Sequence, residues 1–594
     1  MSDNLVKKDR IPDRLVNYLH QNWKILIYSA CGLGLSWIDL WRGIGNGAQW
    51  ALAVNCIGFC VFPMIVLRLD WRMLLPGYKV TAPWEKIFRI VFCIWSAFFL
   101  ASAYPVFRYF APGTDYDAQI ATAVLNIGLY GAVAIRMYFY LFFEKKHPSE
   151  AKTEQLNRPM FILWLVFMVS AIISVNRFIW PLWFLVMFGS LYLAPLRKGE
   201  MEEIIVGISN GIIIGFFWIQ SRAFLYRPYD VDHRYYGHYT NPNVNAMFYL
   251  YTYIAWLVRL TAFRIRNSRK MYAFTFLMAS SMWVFEFFTG CRTAWLAFAF
   301  VTFVYWYAES YACDKRPRIF FTRIILMGLI AMLTFVPVFA CMRFIPALRH
   351  HPIWYQAEYS DDRVMSWDPI DSPKYQTLKS AVYGNLGRLA FFADNTEAGG
   401  EDETDAVPES EGLHEHDVIY ADDGETILSY SDGVVPGTDS LHPMYTHVDY
   451  ERNLITRALG IRFHIYRYII ERIKPFGNRE PYFTVWLIDG LPLGHAHNNI
   501  LMMMYWFGPV SGLAFVAIMA VVFGIGLKTV GNGGENLQDI VLPEFTLMVM
   551  VGFFLSGLTE CTVFPGEYGL TMFFMALLPV ICRKMSADSQ IKEK

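Results

Sequence analysis

Residues 323–341 read RIILMGLIAMLTFVPVFAC, an apolar run whose only charged residue is Arg323 at its start. A helix that crosses a bilayer needs roughly 20 mostly apolar residues. Inside the lipid, all of its backbone polar groups must be satisfied within the segment itself. This run meets both requirements, so it predicts a transmembrane helix and assigns the chain to the membrane class.

Similar apolar runs recur along the whole chain. The sequence therefore predicts an all-α, polytopic transmembrane helical bundle of about 12–14 spans. The segment 499–527 is long for one span and is expected to bend at Pro509. The predicted spans lie near 24–41, 49–67, 87–107, 119–143, 159–175, 179–196, 203–220, 244–263, 271–289, 293–311, 323–341, 499–527, 542–558 and 567–582.

Composition agrees with this class. Apolar residues make up 55% of the chain and charged residues 17%, against about 25% charged in soluble globular proteins. The formal net charge is +0, and no basic stripe suggests a nucleic-acid partner. The cysteines are scattered among apolar runs and form neither a disulfide framework nor a metal-binding spacing.

Basic residues set the predicted orientation, because cytoplasmic connections are enriched in Lys and Arg. With both termini cytoplasmic, the region 1–342 forms about 11 spans, and 498–594 forms about 3 spans and a short tail. The polar region 343–497 then becomes one large external loop on a cytoplasmic (inner) membrane protein. The basic clusters that agree with this assignment lie near 7–14, 68–86, 145–152, 197–198, 264–270, 315–323 and 583–584.

Two parts of the external loop have distinct compositions. The stretch near 394–433 is acidic and poor in apolar residues, which predicts a disordered, solvated insert; a calcium site is the alternative, without a loop spacing to support it. The stretch near 453–474 has apolar residues at helical spacing and predicts an amphipathic helix ended by Pro475 and Gly477.

Arginines at the external face are unusual, because the orientation rule makes basic residues scarce there. Arg234 precedes the turn NPNVNA (241–246), and Arg292 opens a span in TGCRTAWLAF (289–298). A fixed guanidinium can bind phosphate through two hydrogen bonds at once. The alternative for each arginine taken alone is an interfacial side chain with its head group in water.

Further polar candidates fall near the same predicted face. In GHAHNNILMMMYWFGPVSG (494–512), His495 and His497 precede a span; an imidazole can accept a hydroxyl proton, cap a helix, or with more ligands bind zinc. The asparagines of NPNVNA can cap a helix or hydrogen-bond a sugar. Glu286 and Glu560 lie in or beside apolar runs, where a charge costs at least about 2.5 kcal/mol and needs a partner or a cavity.

These segments, in this order, resemble the O-antigen ligase and O-antigen polymerase superfamily of bacterial membrane glycosyltransferases. The resemblance covers roughly 200–582: Arg234 with NPN, TGCRTAWL, the arginine-bearing RFHIYRYIIERIKPFG (462–477) after a large loop, His497 with Asn498 and Gly508, and the later GLTE. The chain departs from the usual pattern in its extra spans, in Gly-Cys before Arg292, and in the acidic insert.

The resemblance implies a GT-C-like fold and metal-independent transfer or polymerisation of a glycan from an undecaprenyl-pyrophosphate-linked donor at the outer face of the membrane. It implies no cofactor and no metal, and an acceptor that is a glycan, lipid or protein-linked group. Arg234 and Arg292 would hold the pyrophosphate and His497 would take the acceptor proton. His495, Arg462, Asn498 and Glu560 would bind substrate. Membrane lipid surrounds the protein.

Two other functions stay open at this stage. A polysaccharide or lipid-linked-sugar transporter (flippase) predicts ionisable residues distributed through the spans and internal repeats. No such repeat is evident, and the polar candidates gather at one face. A membrane sensor that reads the exterior through its loop would not need paired arginines.

Overall fold

The structure is a computed structural model. It describes residues 158–176, 200–226, 229, 234–237, 239, 242–310, 317–348, 353–356, 363–366, 376–389, 418–420, 427–430, 461–479, 485–486, 492–493, 496–530, 537–563 and the single residues 25, 29, 569, 572, 573, 576 and 577. The spans expected near 24–41, 49–67, 87–107, 119–143 and 179–196, and most of that near 567–582, lie outside these ranges.

Helices dominate the described chain. In chain order they are α1 (Arg158–Ile173), α2 (Glu200–Tyr226), α3 (Pro242–Ile265), α4 (Arg269–Thr289), α5 (Arg292–Ala308), α6 (Pro317–Leu348), α7 (Leu378–Leu389), α8 (Ile461–Ile470), α9 (Asn499–Phe507), α10 (Pro509–Val530) and α11 (Leu537–Ser556). The predicted spans from 203–220 to 323–341 and at 542–558 each fall on one of these helices, with ends that differ by a few residues.

Within the described ranges, five helices are long and apolar enough to cross a membrane: Ile204–Leu225, Pro242–Ile265, Arg269–Thr289, Arg318–Ile345 and Pro509–Val530. The helical fold is therefore confirmed, and these five helices have the length and composition of membrane spans. The GT-C-like arrangement and the full number of spans stay predictions.

Helix α3 occupies the centre of the bundle. The apolar window of α3 is 94% buried, whereas that of α6 is only 11% buried. Helices α2, α4, α5 and α11 all pack against α3. A helix enclosed on every side must satisfy its polar side chains inside the protein. Polar side chains at the two ends of α3 must therefore take their partners from the segments packed around them.

The long predicted span at 499–527 is two helices. Helix α9 ends at Phe507 and α10 begins at Pro509, so the expected bend is confirmed, with Gly508 as the residue that turns the chain. Gly508 has φ +90 and Gly477 has φ +74, values that favour glycine. The segment after α8 packs against this break, where Asn478 Nδ2 donates to the Tyr505 carbonyl at 3.0 Å.

Replacing Gly508 with alanine should destabilise the protein by about 2–4 kcal/mol, from backbone strain and from overlap. A Cβ at Gly508 would lie 2.2 Å from the Pro475 carbonyl oxygen. The check is a thermal unfolding curve of the purified protein in detergent.

The matched control is Gly524→Ala in α10, where an added Cβ meets nothing within 4 Å. Alanine there should leave stability unchanged or raise it by up to about 1 kcal/mol. Equal unfolding temperatures for the two variants would contradict the close approach at Gly508.

The region 343–497 contains more regular structure than the sequence suggests. It holds α7 and three antiparallel strand pairs: β1 (Ile353–Gln356) with β2 (Arg363–Ser366), β3 (Val418–Tyr420) with β4 (Ile427–Tyr430), and β5 (Val485–Trp486) with β6 (Pro492–Leu493). The β3–β4 pair falls inside the stretch 394–433 that was expected to be an unstructured insert. The rest of that stretch lies outside the described residues.

The predicted amphipathic helix near 453–474 corresponds to α8, Ile461–Ile470. Residues 453–460 lie outside the described ranges, and the helix ends four residues before the predicted end. It ends early because the chain tightens there: the Arg472 amide bonds the Ile469 carbonyl at 2.9 Å. The Arg472 Nη1 also donates to the Tyr468 carbonyl at 3.2 Å, which satisfies a C-terminal carbonyl of the helix.

Candidate functional site

Five separate segments meet at one end of the bundle. They are the connection between α2 and α3, the first turn of α3, the start of α8, the residues before α9 and the turn after α11. Each segment contributes one polar side chain: Arg234, Asn243, Arg462, His497 and Glu560 respectively. We call these five residues the Glu560 cluster.

The Glu560 carboxylate joins the cluster. Its Oε1 accepts a hydrogen bond from Asn243 Nδ2 at 2.9 Å and lies 3.3 Å from Arg462 Nη2. Its Oε2 lies 3.5 Å from His497 Nδ1, which is within ion-pair range but long for a hydrogen bond. The Glu560 side chain is only 12% exposed. A buried carboxylate needs such partners, since water no longer solvates its charge.

Arg234 is held mostly by neutral acceptors. Its Nε donates to the Thr289 carbonyl at the end of α4 at 2.8 Å, and its Nη2 donates to Asn243 Oδ1. Among the described residues no carboxylate lies within ion-pair distance of Arg234. Its positive charge is therefore fixed in position without being cancelled by direct contact with an anion.

Arg462 is held in the same way through Nε and Nη2. Its Nε donates to the Thr559 carbonyl at 3.1 Å, and its Nη2 contacts Glu560. The Arg462 side chain is 33% exposed. In both Arg234 and Arg462, Nη1 has no partner among the described residues, so each guanidinium keeps one amino group for a ligand.

His497 lies directly before the N-cap of α9 in an unusual backbone conformation. Its φ is +46, in a left-handed region that non-glycine residues seldom adopt. Such backbone costs about 1–3 kcal/mol and persists where the surroundings fix it. The next residue, Asn498, is itself held in place. Its Oδ1 accepts from the Ile500 and Leu501 amides, both at 3.0 Å, and its Nδ2 donates to the Leu558 carbonyl at 3.1 Å.

Tyr466 connects α8 to this backbone. Its hydroxyl lies 3.0 Å from the His497 carbonyl and also contacts the Leu558 carbonyl. Burial raises the pKa of the Tyr466 phenol, so the group stays protonated and remains a donor. Tyr466 follows Arg462 by four residues, which places both side chains on one face of α8. That spacing is a sequence signal that would have identified Tyr466.

Arg292 begins α5 with an exposed side chain. Its neighbour Thr293 hydrogen-bonds the hydroxyl of Thr559, the residue before Glu560. The start of α5 therefore lies at the same end of the bundle as the Glu560 cluster. The neighbour on the other side, Cys291, is buried, and burial raises the pKa of its thiol to about 12.

Cys291 should react very slowly with thiol reagents while the protein is folded. Thiolate is the reactive form, and a pKa near 12 lowers its fraction at neutral pH by about 10³-fold relative to a free cysteine. The measurement is maleimide labelling of a variant that keeps Cys291 as its only cysteine, in mild detergent and again in denaturing detergent. Equal labelling rates in the two detergents would show that Cys291 is accessible and ionised.

Most of the predicted site residues are brought together. Arg234, Arg462, His497, Asn498 and Glu560 form one connected set, and Arg292 lies at the same end. His495 lies outside the described residues.

Of the three asparagines in NPNVNA, Asn243 bridges Arg234 and Glu560, whereas Asn245 donates to the Tyr235 carbonyl at 3.2 Å. Thr289 and Thr559, which hold the two arginines by their carbonyls, had no sequence signal.

Within the described chain, no group of three or more His, Cys, Asp or Glu residues is placed to hold a metal ion. Comparison with known proteins adds no identity: no family model matches the chain, and no curated protein or solved structure matches it either.

Proposed function

We propose that the chain is a membrane glycosyltransferase that transfers or polymerises a glycan carried on undecaprenyl pyrophosphate, at the outer face of the cytoplasmic membrane and without a metal ion. The observation that supports this most directly is the Glu560 cluster. In it, one carboxylate joins a histidine and an arginine, and a second fixed arginine is linked to it through Asn243.

The histidine supplies the base. Glu560 Oε2 lies 3.5 Å from His497 Nδ1, and a carboxylate on that side favours the tautomer with its hydrogen on Nδ1, which leaves a lone pair at Nε2. Nε2 takes the proton of an acceptor hydroxyl as the hydroxyl oxygen bonds the anomeric carbon. The bond between that carbon and the phosphate oxygen breaks, and the pyrophosphate leaves with the electron pair.

The arginines stabilise the leaving group. Negative charge grows on the pyrophosphate as the glycosidic bond breaks, and fixed cationic donors lower the energy of that state. Arg234, whose charge no described carboxylate cancels by contact, is the main candidate, with Arg292 at the same end. Pyrophosphate is already a good leaving group, so the scheme needs no general acid.

The test uses the purified full-length protein and a pool of undecaprenyl-pyrophosphate glycans, with release of undecaprenyl pyrophosphate as the readout. Wild type should release it with and without chelator. Arg462→Ala removes the cation that pairs with Glu560 in the cluster, so it should slow release, whereas Arg467→Ala should not. Arg467 lies on the same helix with a side chain that is 67% exposed and paired with Glu471.

Equal rates for the two arginine variants would reject the role of Arg462. Loss of activity in chelator would reject the metal-free scheme. If wild type releases nothing but moves lipid-linked sugar across liposome membranes, the protein is a transporter.

A further inference from the structure

A second polar cluster lies at the far end of the same helices. Asn243 and Thr261 are both on α3, eighteen residues or about 27 Å apart at 1.5 Å per residue. Thr261 contacts Glu309, which follows α5, and Glu544, in the second turn of α11. The other ends of α5 and α11 lead to Arg292 and Glu560. Three helices therefore connect the two clusters.

Glu309 is compensated by two cations. Its side chain is fully buried, and its Oε2 lies 3.0 Å from Arg264 Nε and 3.6 Å from Arg323 Nη1. Its Oε1 accepts from the Thr261 hydroxyl at 3.0 Å. The two arginine contacts are ion pairs with poor hydrogen-bond alignment. They still provide the positive charge that an ionised, buried Glu309 requires.

Glu544 is equally buried but has no such compensation. It is 2% exposed, and its Oε2 lies 2.9 Å from Thr261 Oγ1. Its Oε1 has no hydrogen-bond partner, and no cation lies within ion-pair distance of either oxygen among the described residues. An ionised carboxylate in this position would be buried without a counter-charge.

The hydrogens available at Thr261 indicate that one of the two carboxyl groups is protonated, and the arginines beside Glu309 leave that hydrogen to Glu544. The Thr261 hydroxyl has one hydrogen, and its oxygen lies within 3.0 Å of Glu309 Oε1, Glu544 Oε2 and the Tyr305 hydroxyl. Two carboxylates cannot share that single hydrogen. If Thr261 donates to Glu309, Glu544 must donate to Thr261 Oγ1 with a hydrogen of its own.

We propose that Glu544 is a proton-binding site, and that the two carboxyl groups of Glu309 and Glu544 hold one proton between them, on Glu544, at the end of the bundle remote from the Glu560 cluster. The charged groups that act on Glu544 are Glu309, Arg264 and Arg323. Loss of this proton would leave an uncompensated charge where α3, α5 and α11 pack together. This inference does not depend on the proposed catalytic function.

The test is infrared spectroscopy of the full-length protein in detergent at neutral pH. The difference spectrum between wild type and Glu544→Gln should contain the C=O stretching band of a protonated carboxylic acid, and the band should shift in D₂O. Glutamine replaces a neutral carboxyl with a neutral amide of the same shape, so this variant should fold. The same difference taken with Glu309→Gln should show loss of carboxylate bands instead.

A wild-type minus Glu544→Gln spectrum that lacks the acid band would overturn the proposal, as would an acid band that disappears in Glu309→Gln rather than in Glu544→Gln. If Glu544→Gln fails to fold, Thr261→Val provides the second test. Loss of the hydrogen bond to Thr261 should shift the acid band, and an unchanged band would show that Glu544 is not its source.

Discussion

Replacing His497 with asparagine should lower the rate of undecaprenyl pyrophosphate release by about 10²- to 10⁴-fold, the usual contribution of a general base. His497 carries the imidazole that the proposed mechanism uses as its base, and Glu560 lies on its Nδ1 side at 3.5 Å. The measurement is the steady-state rate with saturating donor, so that the loss is assigned to the chemical step and not to donor binding.

Asparagine is the informative substitution because of the backbone. His497 has φ +46, a conformation that asparagine tolerates better than most residues. His497→Asn should therefore unfold at nearly the wild-type temperature, whereas His497→Ala adds a backbone penalty to the loss of the base. A rate for His497→Asn within tenfold of wild type would remove His497 from the mechanism.

Replacing Glu560 with alanine should both destabilise the protein and abolish release. Removal of one partner from a buried ion pair costs about 3–5 kcal/mol, and the lower end applies here because Arg462 is 33% exposed. The variant removes the carboxylate that pairs with Arg462, accepts from Asn243 Nδ2 and lies beside His497. Unfolding temperature and release rate, measured on the same preparation, check the two effects together.

Glu471 provides the matched control, since Glu471→Ala removes an exposed carboxylate that pairs with Arg467 at 2.9 Å on the surface of α8. An exposed pair with this spacing contributes about 0.3–0.5 kcal/mol, so stability and rate should stay close to wild type. Glu560→Gln should recover part of the stability, because its amide oxygen can still accept from Asn243 and Arg462, but not the activity. If Glu560→Ala unfolds at the wild-type temperature, the carboxylate does not hold the cluster together.

The polar candidates could be predicted from sequence because each breaks a local rule. Arg234 and Arg292 are basic residues at the face that the sequence predicts to be external, and Glu560 is a charged residue beside an apolar run. Their partners break no rule. Thr289 and Thr559 hold the arginines through backbone carbonyls, which every residue has, so no residue type marks them. Tyr466 and Asn243 are intermediate cases. The sequence shows that Tyr466 shares a helix face with Arg462 and that Asn243 lies at the start of a helix, but it does not show what either side chain contacts.

The bend in the span after His497 could likewise be predicted only in part from sequence. A proline in a long apolar run predicts a bend, and α9 and α10 do separate there. The packing of Pro475 and Gly477 against that bend is not visible in the run itself. It requires the segment after α8 to return to the end of α9, a contact between residues about thirty positions apart.

Hydropathy and charge act over a single span of chain, so the amino-acid sequence is enough to indicate the membrane class, to place the described spans and to mark the residues that need a polar partner. The identity of each partner comes from the packing of the helices. Asn243 and Glu560 are separated by 317 positions and share a hydrogen bond, because α3 lies enclosed at the centre of the bundle with α11 against it. Glu309 and Glu544 meet through Thr261 for the same reason: a buried polar group takes its partner from whichever helix packs beside it, and sequence distance has no part in that choice.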